Sequence, residues 1–146
     1  MGLGPPRRSY PLSSRPPRLG ELEKRLLEWL WGREWIDVRE AHAAHAAPER
    51  RSPNTIHSTL ERLIRKGLVE RRRVGRAYAY RAVVSREAFL DRALENAIEQ
   101  MPGSDPKRLL AAFVDVAARM DEAGLDELER LVAARRREQS DGKGPR

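Results

Sequence analysis

From Pro53 to Lys66 the chain reads PNTIHSTLERLIRK. Wound as a helix at about 100° per residue, this stretch sorts its side chains by chemistry. Ile56, Leu60, Leu63 and Ile64 fall within one stripe of about 100°, the width of a core-facing helix surface. Asn54, Ser58, Arg62 and Arg65 fall opposite, with Thr55 and Glu61 close by and His57 and Thr59 on the flanks. The outward surface is short and polar at its N-terminal end and cationic further along. Asn pairs bidentately with adenine, while Ser and Thr donate or accept and touch a thymine methyl. Short side chains let such a helix lie deep in a groove. A few residues on come Arg71, Arg72, Arg73 and Arg76, whose guanidinium forks match phosphate oxygens. The chemistry on offer is base-edge contact by Asn54, Thr55, Ser58 and Thr59, and phosphate contact by Arg62, Arg65, Arg72, Arg73 and Arg76. Alone, the helix surface is equally that of a solvated amphipathic helix. Its neighbours decide: a helix-turn-helix spacing upstream and an arginine hairpin downstream.

Other chemistries lack their residues. Cysteine is absent, which excludes disulfides, thiolate metal sites and Cys nucleophiles together and fits a reducing cytoplasm. Gly2 and Gly4 precede no strand, so no phosphate loop forms. Ser, His and Asp all occur, but nothing orders them as a triad. His42 and His45, three apart, make at best half a metal site, and their alanine neighbours point to packing instead. Trp29, Trp31 and Trp35 cluster about one helix end, where packing against core or hairpin is expected. No catalytic residue, metal or cofactor is expected, and no enzyme.

The elements that must position these groups are legible from periodicity and punctuation. In ELEKRLLEWLW, Leu22, Leu26, Trp29 and Leu30 recur at helical spacing until Gly32. Asp37 and Glu40 form a capping box that opens a second helix, which Pro48 ends. Ser52-Pro53 opens a third helix, Ser as N-cap and Pro as first helical residue, and Gly67 stops it. LVERRRV and AYAYRA then flank Gly75-Arg76, a β-hairpin with an Arg-bearing tip. Three more helices follow. Ser85 caps the first (stripe Phe89, Leu90, Ala93, Leu94, Ala97, Ile98, Met101), and Ser104 is expected to cap the next (Leu109, Phe113, Val116, Ala117, Met120). Gly124 separates the last (Leu125, Leu128, Leu131, Val132).

Charge divides the same way. Residues 1–83 hold 18 Lys/Arg against 9 Asp/Glu, and residues 84–146 hold 11 against 13. The front of the chain therefore carries all the positive excess, as a half that meets a polyanion would. No long apolar run or secretory leader is present, so a cytoplasmic protein without membrane contact is expected. The organisation expected is a disordered basic, Pro-rich arm over 1–19, a winged-helix DNA-binding domain over 20–83, a helical dimerisation domain over 84–138, and a flexible tail over 139–146. The fold class is mainly α with a small β-hairpin wing. In the second half Phe89, Leu94, Ile98, Leu109, Phe113, Val116, Leu125, Leu128 and Val132 are the expected dimer contacts, because three short helices make little core alone.

LGELEKRLLEWLW at Leu19–Trp31, NTIHSTLERLIRKGLVERR at Asn54–Arg72 and GRAYAYRAVVSREAF at Gly75–Phe89 together resemble the penicillinase repressor family, the BlaI/MecI group of winged-helix repressors. The resemblance implies a homodimer on a dyad-symmetric DNA operator, with C-terminal helices interlocked, repressing antibiotic-resistance or stress genes. Some members are cleaved at an Asn-Phe bond in the first C-terminal helix. The corresponding pair here is Asn96-Ala97, so release by a sensor protease does not carry over, and the effector is left open. Copper-responsive relatives carry Cys-x-Cys tails that this chain lacks. The recognition helix opens Pro53-Asn54-Thr55 and carries His57, both unlike relatives, so no operator sequence carries over either. The competing expectation is a winged-helix module that meets an acidic protein or senses a small ligand, without an operator of its own.

Overall fold

The computed structural model describes residues 17–103 and 105–142. They form two compact units that divide after Gln100. The first contains α1 (Glu21–Trp31), β1 (Ile36–Asp37), α2 (Val38–His45), α3 (Pro53–Arg65), β2 (Val69–Val74), β3 (Ala77–Ala82) and α4 (Arg86–Glu99). The second contains α5 (Pro106–Met120) and α6 (Gly124–Asp141). Of the expected arm, residues 1–16 lie outside the described residues, and so do 143–146 of the expected tail. Residues 139–141 belong to α6, which continues past the expected end at 138.

The caps read from sequence set the entry of α2, α3 and α4. Asp37 Oδ1 accepts the Glu40 amide at 2.9 Å, Ser52 Oγ accepts that of Thr55 at 3.2 Å, and Ser85 Oγ that of Ala88 at 3.0 Å. Each satisfies an amide that has no partner within its own helix. Ser104 lies outside the described residues; the cap described for α5 is Asp105, whose carboxylate accepts from the Lys107 amide at 3.2 Å.

The sheet is larger than the expected hairpin by one short strand. Its order is β1-β3-β2, all antiparallel, with Ile36 opposite Tyr80 and Asp37 opposite Ala79. Asp37 thus ends a strand and caps α2 at once. In the hairpin, Arg71 faces Tyr80, Arg73 faces Tyr78 and Val74 faces Ala77. Gly75 and Arg76 are left as a two-residue tip. Gly75 has φ +63, the positive value that the first central residue of a type II′ hairpin turn needs and that glycine adopts without strain.

The core is built from Leu26, Leu27 and Leu30 of α1, Ile56, Leu60 and Leu63 of α3, and Leu68, Val69, Tyr80 and Ala82 of the hairpin. Trp29, Trp31 and Phe89 are half-buried against it. The Trp31 indole N–H donates to the Val84 carbonyl at 3.0 Å, and its ring lies 5.8 Å from that of Phe89. Those contacts seat the start of α4 on α1.

The second unit is different in kind. No residue of α5 or α6 is buried, while Leu110, Val114, Val116, Met120, Leu125, Leu131 and Val132 are exposed. The two helices close on each other at Gly124: a Cβ placed there would stand 2.1 Å from the Ala117 carbonyl oxygen, so only glycine admits this approach.

Candidate nucleic-acid interface

The helix α3 is presented by the turn before it. His42 Nε2 donates to the Arg51 carbonyl at 2.8 Å, and the Arg51 guanidinium donates to the His45 carbonyl at 2.9 Å. His45 Nδ1 donates to the Ala41 carbonyl at 3.0 Å. A carbonyl only accepts, so each imidazole spends a ring N–H on backbone. These two histidines tie α2 and its turn together.

Along α3, Asn54, Thr55, His57 and Ser58 are exposed, as are Arg62 and Arg65. The Ser58 hydroxyl donates to the Asn54 carbonyl at 2.7 Å, which leaves its lone pairs outward as an acceptor. Thr59 does not belong with them. It is fully buried, donates to the Thr55 carbonyl at 2.7 Å and accepts from Arg62 Nη2 at 3.0 Å. The expectation that Thr59 touches bases is therefore corrected: α1 and α2 both pack on α3, and together they cover a wider arc than one apolar stripe. Arg62 is also less free than expected, because its Nε lies 3.4 Å from Glu23 of α1. Glu23 is buried and also holds Lys66.

On the wing the strand alternation separates the arginines. Arg71 and Arg73 share a face with Tyr78 and Tyr80, and Arg72 lies on the other with Arg81. Arg72 stacks over the Trp35 ring at 4.3 Å and Arg81 does so at 4.6 Å, with Arg81 also paired to Glu70. Arg73 Nε donates to the Gly75 carbonyl at 3.2 Å. Arg76 stands exposed at the tip. Of the three wing residues expected at phosphate, Arg73 and Arg76 lie near one edge, whereas Arg72 is held on the Trp35 side.

A carboxylate joins helix to wing, and sequence reasoning left it aside. Glu61 Oε1 accepts from Arg71 Nη1 at 2.6 Å and from the Tyr80 hydroxyl at 3.2 Å, and His57 Nε2 lies 3.6 Å away. Burial, then the Glu61 charge and the hydrogen bond to it, push the Tyr80 phenol up to about 12. Arg71's own hydrogen bond to Glu61, and then the Glu61 charge, raise its guanidinium above the ordinary value. The His57/Glu61 spacing of four was visible in the sequence; the reach to β2 and β3 was not.

The residues expected to pair two copies fall in both units. Phe89 is half-buried against Trp31, so it serves the first unit's own packing. Leu94, Val116, Leu125 and Val132 are exposed, and Ile98, Leu109, Phe113 and Leu128 are half-buried. Val114, Leu125, Leu128, Val132 and Ala133 line an open groove of about 780 Å³ on α5 and α6.

Comparison with known proteins places the chain in a family. The pattern of the penicillinase repressor family matches residues 19–134. The transcriptional regulator BlaI of Mycobacterium tuberculosis is 32% identical over 117 residues, which span 80% of this chain and 83% of that protein. Among solved structures, the DNA-binding domain of the repressor BlaI is 23% identical with a TM-score of 0.45, covering 53% of this chain and 93% of that one. Bacillus licheniformis BlaI, solved as a monomeric form with the blaP half-operator, is 25% identical with a TM-score of 0.42, covering 50% and 89%. The chain belongs to the penicillinase repressor family and is a DNA-binding transcriptional repressor, not an enzyme.

Proposed function

We propose that the chain represses transcription as a homodimer on a pseudo-palindromic operator, and that the genes it controls serve antibiotic resistance or stress. In this reading α3 of each protomer enters a major groove with Asn54, Thr55 and Ser58 toward base edges. Arg65, Arg73 and Arg76 contact phosphate, with Arg62 held back by Glu23. The base-facing group is short and polar, so the helix seats deeply, and the tip arginine reaches the flanking backbone as a wing does. The observation that supports the dimer is the second unit: its helices α5 and α6 expose seven large apolar side chains and bury none of their own residues. Contiguous exposed apolar surface of this kind marks an interface. Joining two reading heads makes the second half-site encounter intramolecular, which raises avidity by orders of magnitude.

The test begins by selecting an operator from a random duplex pool with the purified chain. Arg76→Ala is expected to weaken binding to every sequence and to reduce the log–log salt slope by about 0.9 per protomer. Asn54→Ala is expected to change base preference at one position of each half-site while leaving that slope unchanged. Equal loss of selectivity from both variants would defeat the assignment of roles.

A further inference from the structure

Glu61 is the only acidic residue of α3, and the helical sweep places it beside Asn54 on the surface assigned to DNA. A carboxylate there repels a polyanion, so simple electrostatics disfavours it. Its three neighbours supply a reason for its presence. Oε1 takes Arg71 Nη1 from β2 at 2.6 Å and the Tyr80 hydroxyl from β3 at 3.2 Å, while His57 one turn earlier on α3 comes within 3.6 Å. Tyr80 is fully buried, so it is a fixed post. Arg71 is braced a second time, stacked on the Tyr78 ring at 4.5 Å. One oxygen thus gathers both wing strands onto the recognition helix.

We propose that Glu61 is a positioning residue for sequence recognition: it locks the wing to α3 and so fixes where Arg73 and Arg76 stand relative to the bases faced by Asn54 and Ser58. The inference rests on the reading of α3 and the wing as a DNA-contacting pair. It also removes Arg71 from the phosphate ligands, because its guanidinium is committed to Glu61. A wing that swings free still finds phosphate somewhere along a duplex, since phosphates are everywhere. It no longer finds the phosphate that holds α3 in register, so specific binding suffers and non-specific binding does not.

Two readings of Glu61 therefore predict opposite results. If the carboxylate only repels, Glu61→Ala raises affinity for operator and for scrambled duplex alike. If it positions the wing, Glu61→Ala leaves scrambled-duplex affinity equal or higher and lowers operator affinity. The specificity ratio then falls by about tenfold or more, the scale of one misplaced base contact. Tyr80→Phe changes no charge and keeps the buried ring, and it is expected to lower the ratio in the same direction by a smaller factor. The exchange Glu61→Arg with Arg71→Glu is expected to restore most of the ratio that each single change loses. A helix merely destabilised by mutation would not be rescued that way. The experiment is fluorescence anisotropy of the full chain on its selected operator and on a scrambled duplex, at several salt concentrations. An unchanged ratio in both Glu61→Ala and Tyr80→Phe, with the unmodified chain still selective, would overturn this inference and leave the repressor reading intact. An unmodified chain that does not distinguish any duplex would overturn both.

Discussion

The approach of α6 to α5 at Gly124 converts into a sharp expectation. An alanine methyl there would lie 2.1 Å from the Ala117 oxygen and 2.9 Å from its carbonyl carbon, where ordinary contact begins at 3.4 Å. The helices must part by more than 1 Å, because the obstacle is backbone and has no rotamer to adopt. Forced displacements of this kind cost about 1–3 kcal/mol. Helix propensity acts the other way, favouring Ala over Gly by up to about 1 kcal/mol, so the clash wins or at worst nearly cancels. In a free protomer the hairpin has no buried residue to hold it closed, and it relaxes by opening. In a dimer that buries these faces it cannot relax, and each protomer carries one hinge. Gly124→Ala is then expected to destabilise the dimer by about 2–6 kcal/mol before the propensity offset, on the order of 30-fold to 10⁴-fold in dissociation constant. Sedimentation equilibrium over a concentration series reads this directly, with Gly32→Ala as control, since nothing lies within 4 Å of a Cβ there. Binding to a single half-site, made by the first unit, is expected to be unchanged, while binding to the full operator falls. A Gly124→Ala chain that dimerises as tightly as the unmodified one would show that the α5–α6 hairpin does not form the joint.

Three further outcomes follow from the reading head. Thr59→Val removes a buried hydroxyl that serves Thr55 and Arg62 and should cost about 1–2 kcal/mol in thermal or urea unfolding, with base preference in the selected operator unaltered; altered preference would return Thr59 to the DNA contacts. The Tyr80 phenol, about 12 in the folded chain against 10 for the free group, favours the protonated, folded form. Its contribution of roughly 2–3 kcal/mol is complete below pH 10 and is lost as pH rises through 12; Tyr80→Phe should abolish that component of alkaline unfolding, and a phenolate band that titrates wholly near pH 10 would contradict it. Arg65, Arg73 and Arg76 together should give a salt slope of about 2.7 per half-site, and a slope twice that would mean that Arg62, Arg71 and Arg72 leave their partners on binding.

Much of the fold was legible because its punctuation is local. Ser52-Pro53, Asp37 with Glu40, Ser85 and Gly75 each act within a few residues of themselves, so sequence distance equals spatial distance. The strand β1 was not legible: two residues are too few for alternation, and Ile36 pairs with Tyr80 only because α1 and the hairpin bring them together. Thr59 shows the same limit from the other side. A helical sweep finds one apolar stripe, but it does not report that two helices, α1 and α2, pack on α3. Of the candidate site, the side chains were legible and their commitments were not. Arg72 and Arg73 look alike in the sequence, yet one lies over Trp35 and the other beside the tip.

Those commitments explain why so basic a surface keeps its acids. Glu23 of α1 holds Arg62 and Lys66 at the end of α3; Glu61 of α3 holds Arg71 of β2; Glu70 of β2 holds Arg81 of β3. Three carboxylates thus bridge α1 to α3, α3 to β2 and β2 to β3. The Glu61 and Glu70 pairs are partly exposed, and pairs of that kind contribute little to folding, about 0–1 kcal/mol each, so stability does not account for those two bridges. For affinity alone the bridges are a loss, since each cation withdrawn from phosphate forgoes about 0.9 in salt slope. What they supply is a fixed relation between helix and wing before DNA arrives, and ordering that is complete in the free protein is not charged against binding. A head with fewer acids would grip duplex more tightly and read it less well.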